Sequence, residues 1–402
     1  MTVRPLVYLD NSATTRLDPR VAEAMRPHLE DSYGNPSSLH AMGREARAAV
    51  EEARASVAGL VNARPREIVF TGSGTEANNL ALLGAVGASG AVTPHMVASA
   101  FEHPSVLEPC ARLRALGADV TLLPVGGDGI VEPGELARAM RPETVLVSIM
   151  TANNVVGTLQ PIAELARVAR SRGALFHTDA VQAAGRVPIE VSRDDVDLLS
   201  LSAHKLHGPK GVGALFVRTG VRIAPQVHGG GQEQGLRSAT ENVAGIAGFG
   251  RAAEIAAAAR GEEAARLVNL RDRLLEAICG SVPGAYLIGH PHRRLPGHLC
   301  IGISGLEPEA MKLLLALDEQ GFAVSTGSAC SSSHASEPSH VLMAMGFDPV
   351  RARGSLRITL GRFNTDEEAL AFADALRRVA ATLRPITTRK IPSERTEPCR
   401  TR

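Results

Sequence analysis

Cysteine is scarce in this sequence, and its placement argues against two common kinds of site. The chain has 402 residues and five cysteines, none of them in a Cys-x-x-Cys pair: Cys110, Cys279, Cys300, Cys330 and Cys399. An odd number of widely spaced cysteines suits neither a disulfide framework nor a structural zinc site. We therefore expect a protein of the reducing cytoplasm that binds no metal.

Charge imbalance and long apolar runs are also lacking. The formal net charge is +1, which gives no support for a direct nucleic-acid partner. No apolar run reaches the ~18 to 20 residues that a membrane-spanning helix requires. The first ten residues enter a strand-like pattern at once, so we expect no signal peptide. With 44% hydrophobic and 21% charged residues, the composition is that of a soluble globular protein, and the length allows two domains.

Short apolar runs alternate with helical patterns as far as about residue 240. They predict strands at Glu67–Phe70, Met96–Ser99, Asp119–Leu123, Thr144–Ile149 and Ala174–His177, and one on each side of segment 200–213. Strands that alternate with helices indicate an α/β fold with a mainly parallel sheet covered by helices. Ala41–Leu60 has the spacing of an amphipathic helix. Beyond Asn242 the pattern is helical over two consecutive segments, Val243–Ala259 and Glu262–Cys279, along which we place the domain hinge, and it is then mixed. A helix at Asp366–Leu383 closes the fold, with Thr365 as its N-cap and Glu368 at its third position. We expect a large domain at 14–258, a smaller α+β domain formed by 1–13 and 259–385, and a disordered tail at 386–402.

One loop between two predicted strands holds a lysine in an unusual setting. Lys205 stands between His204 and His207, near the hydroxyls of Ser200 and Ser202 and among small, Gly and Pro positions. Such surroundings are typical of a residue that another molecule approaches closely. A lysine held in this way can lose its proton and form a Schiff base with a carbonyl. From this segment alone, a basic surface turn is an equally good interpretation.

Other candidate residues also follow predicted strands. Gly72–Thr75 opens a helix whose N-terminus could bind a phosphate, although a structural turn explains it as well and it is not a nucleotide P-loop. Asp179 lies at the edge where open α/β sheets bind ligands, and His103 and Asn154 follow two further strands. Each of these alone is more often structural. A phosphate clamp, a carboxylate for a pyridinium nitrogen and a Schiff-base lysine are together what pyridoxal 5′-phosphate requires.

Cys330 differs from the other cysteines in its surroundings. It lies in a polar, Gly- and Ser-rich segment at 325–340, which suits an accessible nucleophile that carries a product away. Cys110, Cys279 and Cys300 stand in apolar contexts, where a buried core position is the better interpretation. Arg357, on the strand that follows, could bind a carboxylate through two hydrogen bonds or form an ordinary salt bridge.

Ten segments of this chain, spread as far as about residue 383, form a combined pattern. They are Tyr8-Leu-Asp-Asn-Ser-Ala-Thr-Thr15, Gly34-Asn-Pro-Ser37, Thr75-Glu-Ala-Asn-Asn79, His177-Thr-Asp-Ala-Val-Gln182, Ser202-Ala-His-Lys205, Gly208-Pro-Lys-Gly211, His228-Gly-Gly-Gly231, Arg237-Ser-Ala-Thr240, Gly327-Ser-Ala-Cys330 and Ser355-Leu-Arg-Ile-Thr-Leu-Gly361. The pattern resembles the cysteine desulfurases of the NifS/IscS type, which are fold-type I pyridoxal-phosphate enzymes of the class V aminotransferase family. Within them it is similar to the group with the cysteine on a long loop; the group related to selenocysteine lyases fits less well.

The resemblance implies a reaction and a role for each site residue. L-cysteine would become L-alanine, and its sulfur would pass to Cys330 as a persulfide and then to an acceptor protein. Lys205 would bind the cofactor, Asp179 would pair with its pyridine nitrogen, and His103 would stack on the ring and shuttle protons. Asn35 and Arg357 would bind the substrate. Further cofactor contacts would come from Gly74, Thr75, Asn154, Gln182, Ser202 and His204, and from Thr240 across the interface of a homodimer.

Two other functions remain as alternatives. The first is another reaction of the same family, such as that of an aminotransferase or a selenocysteine lyase. An aminotransferase would need a keto acid as second substrate and would have no need of Cys330. The second is a catalytically idle scaffold, against which the complete set of lysine, aspartate, histidine and cysteine argues. The acceptor is not identified, since iron–sulfur scaffold proteins, tRNA thiolation enzymes and DNA phosphorothioation systems all draw on enzymes of this kind.

Overall fold

The computed structural model describes residues 6–327 and 337–384, so Cys330, Cys399 and the predicted tail lie outside the described residues. The helices are α1 (Pro19–Glu30), α2 (Ala41–Leu60), α3 (Gly74–Ala88), α4 (Pro104–Ala115), α5 (Pro133–Ala139), α6 (Ile162–Ser171), α7 (Val243–Ser281), α8 (Ala310–Glu319), α9 (His340–Ala344), α10 (Pro349–Arg353) and α11 (Asp366–Leu383). The strands are β1 (Val7–Tyr8), β2 (Ile68–Thr71), β3 (His95–Ser99), β4 (Asp119–Leu123), β5 (Thr144–Ser148), β6 (Leu175–Asp179), β7 (Leu198–Ser202), β8 (Gly213–Val217), β9 (Ala285–Leu287), β10 (His298–Ile303), β11 (Phe322–Ala323), β12 (Ser325–Thr326) and β13 (Ser355–Thr359).

Seven strands form the central sheet, in the order β2-β8-β7-β6-β5-β3-β4. Neighbouring strands from β7 to β4 pair in parallel, whereas β8 is antiparallel to both β7 and β2. Successive residues of a strand point to opposite faces, so Val69 packs into the core under α3 and α4 while Ile68 and Phe70 pack into the core with α2 and α7. The prediction of a mainly parallel sheet covered by helices on both faces is confirmed.

A second, antiparallel sheet has the order β12-β13-β10-β9 and packs against α8, α11 and the second half of α7. The described N-terminal residues join this part of the molecule, because β1 pairs with β11. At the start of α11, the hydroxyl of Thr365 accepts from the N–H of Glu368, whose carboxylate accepts from the N–H of Thr365. The sequence predicted this capping box, which is a purely local feature.

Helix α7 connects the two sheets without a break over 39 residues. The sequence predicted two consecutive helical segments here and placed the domain hinge along them. Ile246 and Phe249 pack into the core of the central sheet, whereas Leu267 and Leu274 pack into the core of the smaller one. The domain boundary after residue 258 therefore falls inside a continuous helix, and it stays a prediction. None of the helices in the described part of the chain is long and apolar enough to cross a membrane.

Candidate active site

A cavity of about 360 Å³ lies at the carboxyl ends of the central strands. Strands β2, β6 and β7 end at its wall, and the segments that follow β3 and β5 complete it. It is lined by nine of the sequence-predicted site residues: Gly74, Thr75, His103, Asn154, Asp179, Gln182, Ser202, His204 and Lys205. Residues far apart in the sequence meet here because parallel strands end at the same edge of a sheet.

The N-terminus of α3 forms one wall of the cavity. The hydroxyl of Ser73 caps the helix by accepting from the N–H of Glu76 at 3.1 Å. A Cβ at Gly74 would lie 2.8 Å from Val181 Cγ2, so glycine lets α3 approach the ends of β6 and β7 closely. First-turn N–H groups have no partner within a helix, and the helix dipole favours an anion at this end. With the hydroxyls of Thr75 and Ser202, they form a donor set that suits a phosphate.

Asp179 ends β6 and is held by two hydrogen bonds. Its Oδ1 accepts from the N–H of Val181 at 2.9 Å, and its Oδ2 accepts from Asn78 Nδ2 at 2.8 Å. Asn78 also donates to Ser105 Oγ at 2.8 Å, so the network extends from β6 through α3 to α4. The carboxylate is thus oriented at the cavity wall by α3. Asn78, although it lies in one of the matching segments, and Ser105 are not among the site residues predicted from the sequence.

His103 caps α4 on the opposite side of this network. Its Nδ1 accepts from the N–H of Ser105 at 3.1 Å, which assigns the proton of the neutral ring to Nε2. Burial lowers the pKa of His103; the charge of Asp179 opposes this effect, and those of Lys205 and His340 reinforce it. A neutral ring is therefore the form present at neutral pH, and it suits stacking on an aromatic cofactor.

Lys205 ends a single helical turn, Ala203–Lys205, directly after β7. Its Nζ donates to the carbonyl oxygens of Ser12 at 2.5 Å and Ala13 at 2.7 Å. Ser12 O also accepts from Gln182 Nε2 at 2.9 Å. Burial, together with the charges of two lysines, lowers the pKa of His204 to about 4, so this neighbour is uncharged at neutral pH. Lys205 lines the cavity beside the two residues that accept from it, which favours a reactive lysine over a basic surface turn, and its role stays a prediction.

Three predicted residues stand apart from this cavity lining. Arg357 is buried on β13 and donates to Asp10 Oδ1 at 2.8 Å and to Asn154 O at 3.2 Å, so it reaches the cavity wall through Asn154. The ordinary ion pair considered from the sequence is thus present, and substrate binding by Arg357 stays a prediction. Asn35 and Thr240 are exposed, and their predicted contacts with substrate and with a neighbouring subunit also stay predictions.

The segment that carries Cys330 starts and ends beside this site, while Cys330 itself lies outside the described residues. At one end, Ser325 of β12 pairs with Arg357 of β13. At the other, His340 Nε2 donates to the carbonyl oxygen of Glu102 at 3.0 Å, next to His103. Both attachment points are therefore close to candidate site residues.

The side chains and helix terminus around the cavity fit pyridoxal 5′-phosphate. A glycine-containing helix N-terminus suits the phosphate, an oriented carboxylate suits the ring nitrogen, and a lysine amine suits the aldehyde. Residues 6–327 and 337–384 contain no group of three or more His, Cys, Asp or Glu that could hold a metal ion.

Comparisons with known proteins agree with this geometry. The family model described as Aminotransferase class-V matches residues 7–372. Cysteine desulfurase IscS of Dictyoglomus turgidum is 47% identical over 381 residues, which cover 95% of this chain and 96% of that protein. A solved NifS-like protein has a TM-score of 0.87 at 39% identity, covering 94% of this chain and 100% of its own. SspA in complex with cysteine has a TM-score of 0.78 at 34% identity, covering 89% and 99%. With a match over nearly its whole length, the chain belongs to the class-V aminotransferase family.

Proposed function

We propose that this chain is a cysteine desulfurase, which converts L-cysteine to L-alanine with pyridoxal 5′-phosphate and transfers the sulfur to Cys330 as a persulfide. Members of the family use this cofactor. The main support is the single cavity in which the amine of Lys205, the carboxylate of Asp179 and the N-terminus of α3 meet. The cysteine desulfurase relative and the cysteine-bound structure support L-cysteine as the substrate.

Different residues of the cavity bind different parts of the cofactor. When bound, the cofactor supplies an electron sink that weakens the bond between Cα and its hydrogen in the substrate. Asp179, oriented by Asn78 and Val181, pairs with the protonated ring nitrogen, and the N-terminus of α3 binds the phosphate. Lys205 would hold the cofactor through its amine, and the same amine would accept the proton from Cα of the substrate.

Cys330 supplies the nucleophile for sulfur transfer. Its thiolate attacks the sulfur of the substrate, so that a sulfur–sulfur bond forms while the carbon–sulfur bond breaks. The electron pair of the broken bond returns to the substrate, which takes up a proton at the former thiol carbon. The product regains at Cα the proton that Lys205 had accepted and leaves as L-alanine. Arg357 binds the substrate carboxylate with Asn35 nearby, and neutral His103 carries protons at the cavity wall. The persulfide then passes to an acceptor protein.

The assembly of the protein and its location belong to the same proposal. Thr240 is exposed just before α7, where its hydroxyl is accessible to a second copy of the chain. We infer a homodimer in which Thr240 reaches the cofactor phosphate of the neighbouring subunit. We also infer a cytoplasmic protein whose acceptor is a scaffold for iron–sulfur assembly or a thiolation enzyme.

The test is incubation with L-cysteine, with quantification of alanine and sulfide and intact mass spectrometry of the protein. We expect an adduct of about +32 Da that maps to Cys330, as persulfide chemistry requires. Cys330→Ser should lose the adduct and most alanine formation. Cys279→Ser, which removes a partly exposed cysteine on α7, should retain both. Lys205→Ala should lose the absorbance of the lysine-bound cofactor near ~400 nm.

The proposal is wrong if Cys330→Ser forms alanine at the full rate in the presence of a mild reductant. Dependence of the reaction on added keto acid would instead indicate an aminotransferase. A purified protein that stays colourless with excess cofactor would indicate an idle scaffold.

A further inference from the structure

Residues 11–15, which we call the strap, lie over the amine of Lys205. Lys205 Nζ donates to the carbonyl oxygens of Ser12 and Ala13, and Ser12 O accepts from Gln182 Nε2 as well. Carbonyl oxygens only accept hydrogen bonds, so two of them orient the amine through its N–H groups. The position of the strap therefore determines how Lys205 is held when it is not attached to a cofactor.

The strap is fixed to the smaller sheet at Ser12. The N–H of Ser12 donates to Thr359 Oγ1 at 2.9 Å, and its hydroxyl lies 3.2 Å from His298 Nδ1. His298 and Thr359 are directly opposite each other on β10 and β13. Lys205, by contrast, follows a strand of the central sheet. His298 and Thr359 of the smaller sheet thus fix the position of the carbonyl oxygens that accept from Lys205, which lies next to the central sheet.

The bonding of His298 leaves one ring nitrogen to accept a hydrogen bond from Ser12. Its Nε2 donates to the carbonyl oxygen of Val155 at 2.9 Å, so in the neutral ring Nδ1 is an acceptor. The side chain is 1% exposed, and burial, reinforced by the charges of nearby arginines, lowers the pKa of His298 well below its usual value. Gly157, with φ of +78°, leaves space for the ring, because a Cβ there would lie 2.7 Å from two ring carbons.

We propose that His298 is a positioning residue for Lys205 and acts through Ser12. By accepting from the Ser12 hydroxyl it holds the two strap carbonyls against the amine, which keeps the amine in place. The inference rests on the proposed role of Lys205 as the cofactor lysine. Without the contact to His298 the strap loosens, and the amine is held less tightly and is more accessible to reagents.

The two hydrogen bonds of His298 can be separated by substitution. His298→Asn keeps an acceptor near the position of Nδ1 and loses the bond to Val155, whereas His298→Gln keeps a donor near Nε2 and loses the acceptor for Ser12. Ser12→Ala removes the same contact from the other side. The three variants and the parent are compared as full-length protein stripped of cofactor. They are labelled with an amine-acylating reagent, and modification of Lys205 is followed by peptide mass spectrometry.

We expect His298→Gln and Ser12→Ala to speed labelling of Lys205 by about five- to tenfold, the effect of one lost hydrogen bond. His298→Asn should stay within about twofold of the parent. The double variant Ser12→Ala/His298→Gln should resemble either single variant, because both remove one contact. In a second arm, pyridoxal 5′-phosphate is added and absorbance near ~400 nm follows its attachment. Attachment should be faster in the same variants.

Lys210, the exposed lysine of the same loop, is the internal control, and its labelling rate should not change. Equal rates in His298→Asn and His298→Gln, or additive effects of Ser12→Ala and His298→Gln, would overturn the proposal. A role in packing alone depends on side-chain volume and not on which nitrogen position is kept. The labelling result does not depend on desulfurase activity. A parent protein that forms no alanine would refute the proposed function and leave the comparison of variants intact.

Discussion

Glu102 offers a quantitative test of how the active site is built. Its side chain is fully buried next to His103, and its Oε1 accepts from the N–H of Met150 at 2.9 Å and from the hydroxyl of Ser99. Its Oε2 is a buried atom without a hydrogen-bond partner among the described residues. Burial raises the pKa of Glu102 from its usual value of 4.5 to about 8, opposed by its two hydrogen bonds and reinforced by the charge of Asp179. The carboxyl is therefore protonated at neutral pH.

Glu102→Gln preserves the shape and the Oε1 acceptor while it removes the titration. Between pH 4.5 and about 8 the folded parent binds a proton that the unfolded chain releases. The stability linked to this proton is complete below pH 4.5 and is lost as pH rises to about 8. Each unit of pKa difference corresponds to about 1.4 kcal/mol. The free energy of unfolding of the variant minus that of the parent should therefore rise by about 4 kcal/mol between about pH 5 and 8.5.

The assay is urea unfolding of both proteins across this pH range, at one protein concentration and one excess of cofactor. Because only Glu102 differs, titrations common to both proteins cancel in the difference. Glu108→Gln, at an exposed position on α4, controls for the loss of one acidic residue. A difference between variant and parent that stays constant with pH within about 1 kcal/mol would refute the raised pKa.

Two further changes test contacts made by buried groups. Asn78→Ala removes the donor to Asp179 Oδ2, and we expect cofactor binding to be about tenfold weaker in an absorbance titration. Asn79→Ala, which removes an exposed side-chain hydrogen bond to Thr75 O, is the control. Arg54→Ala leaves Glu233 buried without the two hydrogen bonds of 2.7 and 2.8 Å that now neutralise it. We expect the free energy of unfolding to fall by about 3 to 5 kcal/mol, measured with urea, and unchanged stability would contradict this reading of the pair.

Much of the site could be predicted from the sequence because its key residues lie at or just beyond the ends of strands. Asp179 ends β6, Lys205 follows β7 and the N-terminus of α3 follows β2, and these strands end at one edge. Their partners could not be predicted in the same way. Asn78 is one polar residue among several in α3, and only the packing of α3 against β6 brings it within 2.8 Å of Asp179. No periodicity or motif in the sequence predicts such a distance between a helix residue and a strand residue.

The same distinction between local and long-range features applies to the fold. The 20 residues of α2 and the capping box of α11 were predicted because amphipathic spacing and caps involve neighbouring residues. Strands β11 and β12 have two residues each and could not be predicted, since two residues show no alternation. They exist through pairing with distant segments, as when Val7 pairs with Phe322.

The strap connects the smaller sheet to the loop that carries Lys205. On one side Asp10, which precedes it, binds Arg357, and Ser12 binds His298 and Thr359, all three from the smaller sheet. On the other side Thr15 binds the carbonyl oxygen of His204, beside Lys205. A displacement of the smaller sheet would therefore move Arg357 and, with it, the carbonyl groups that bind Lys205. Because Arg357 is the proposed anchor for the substrate carboxylate, we infer that substrate binding and the holding of the lysine share one stretch of backbone.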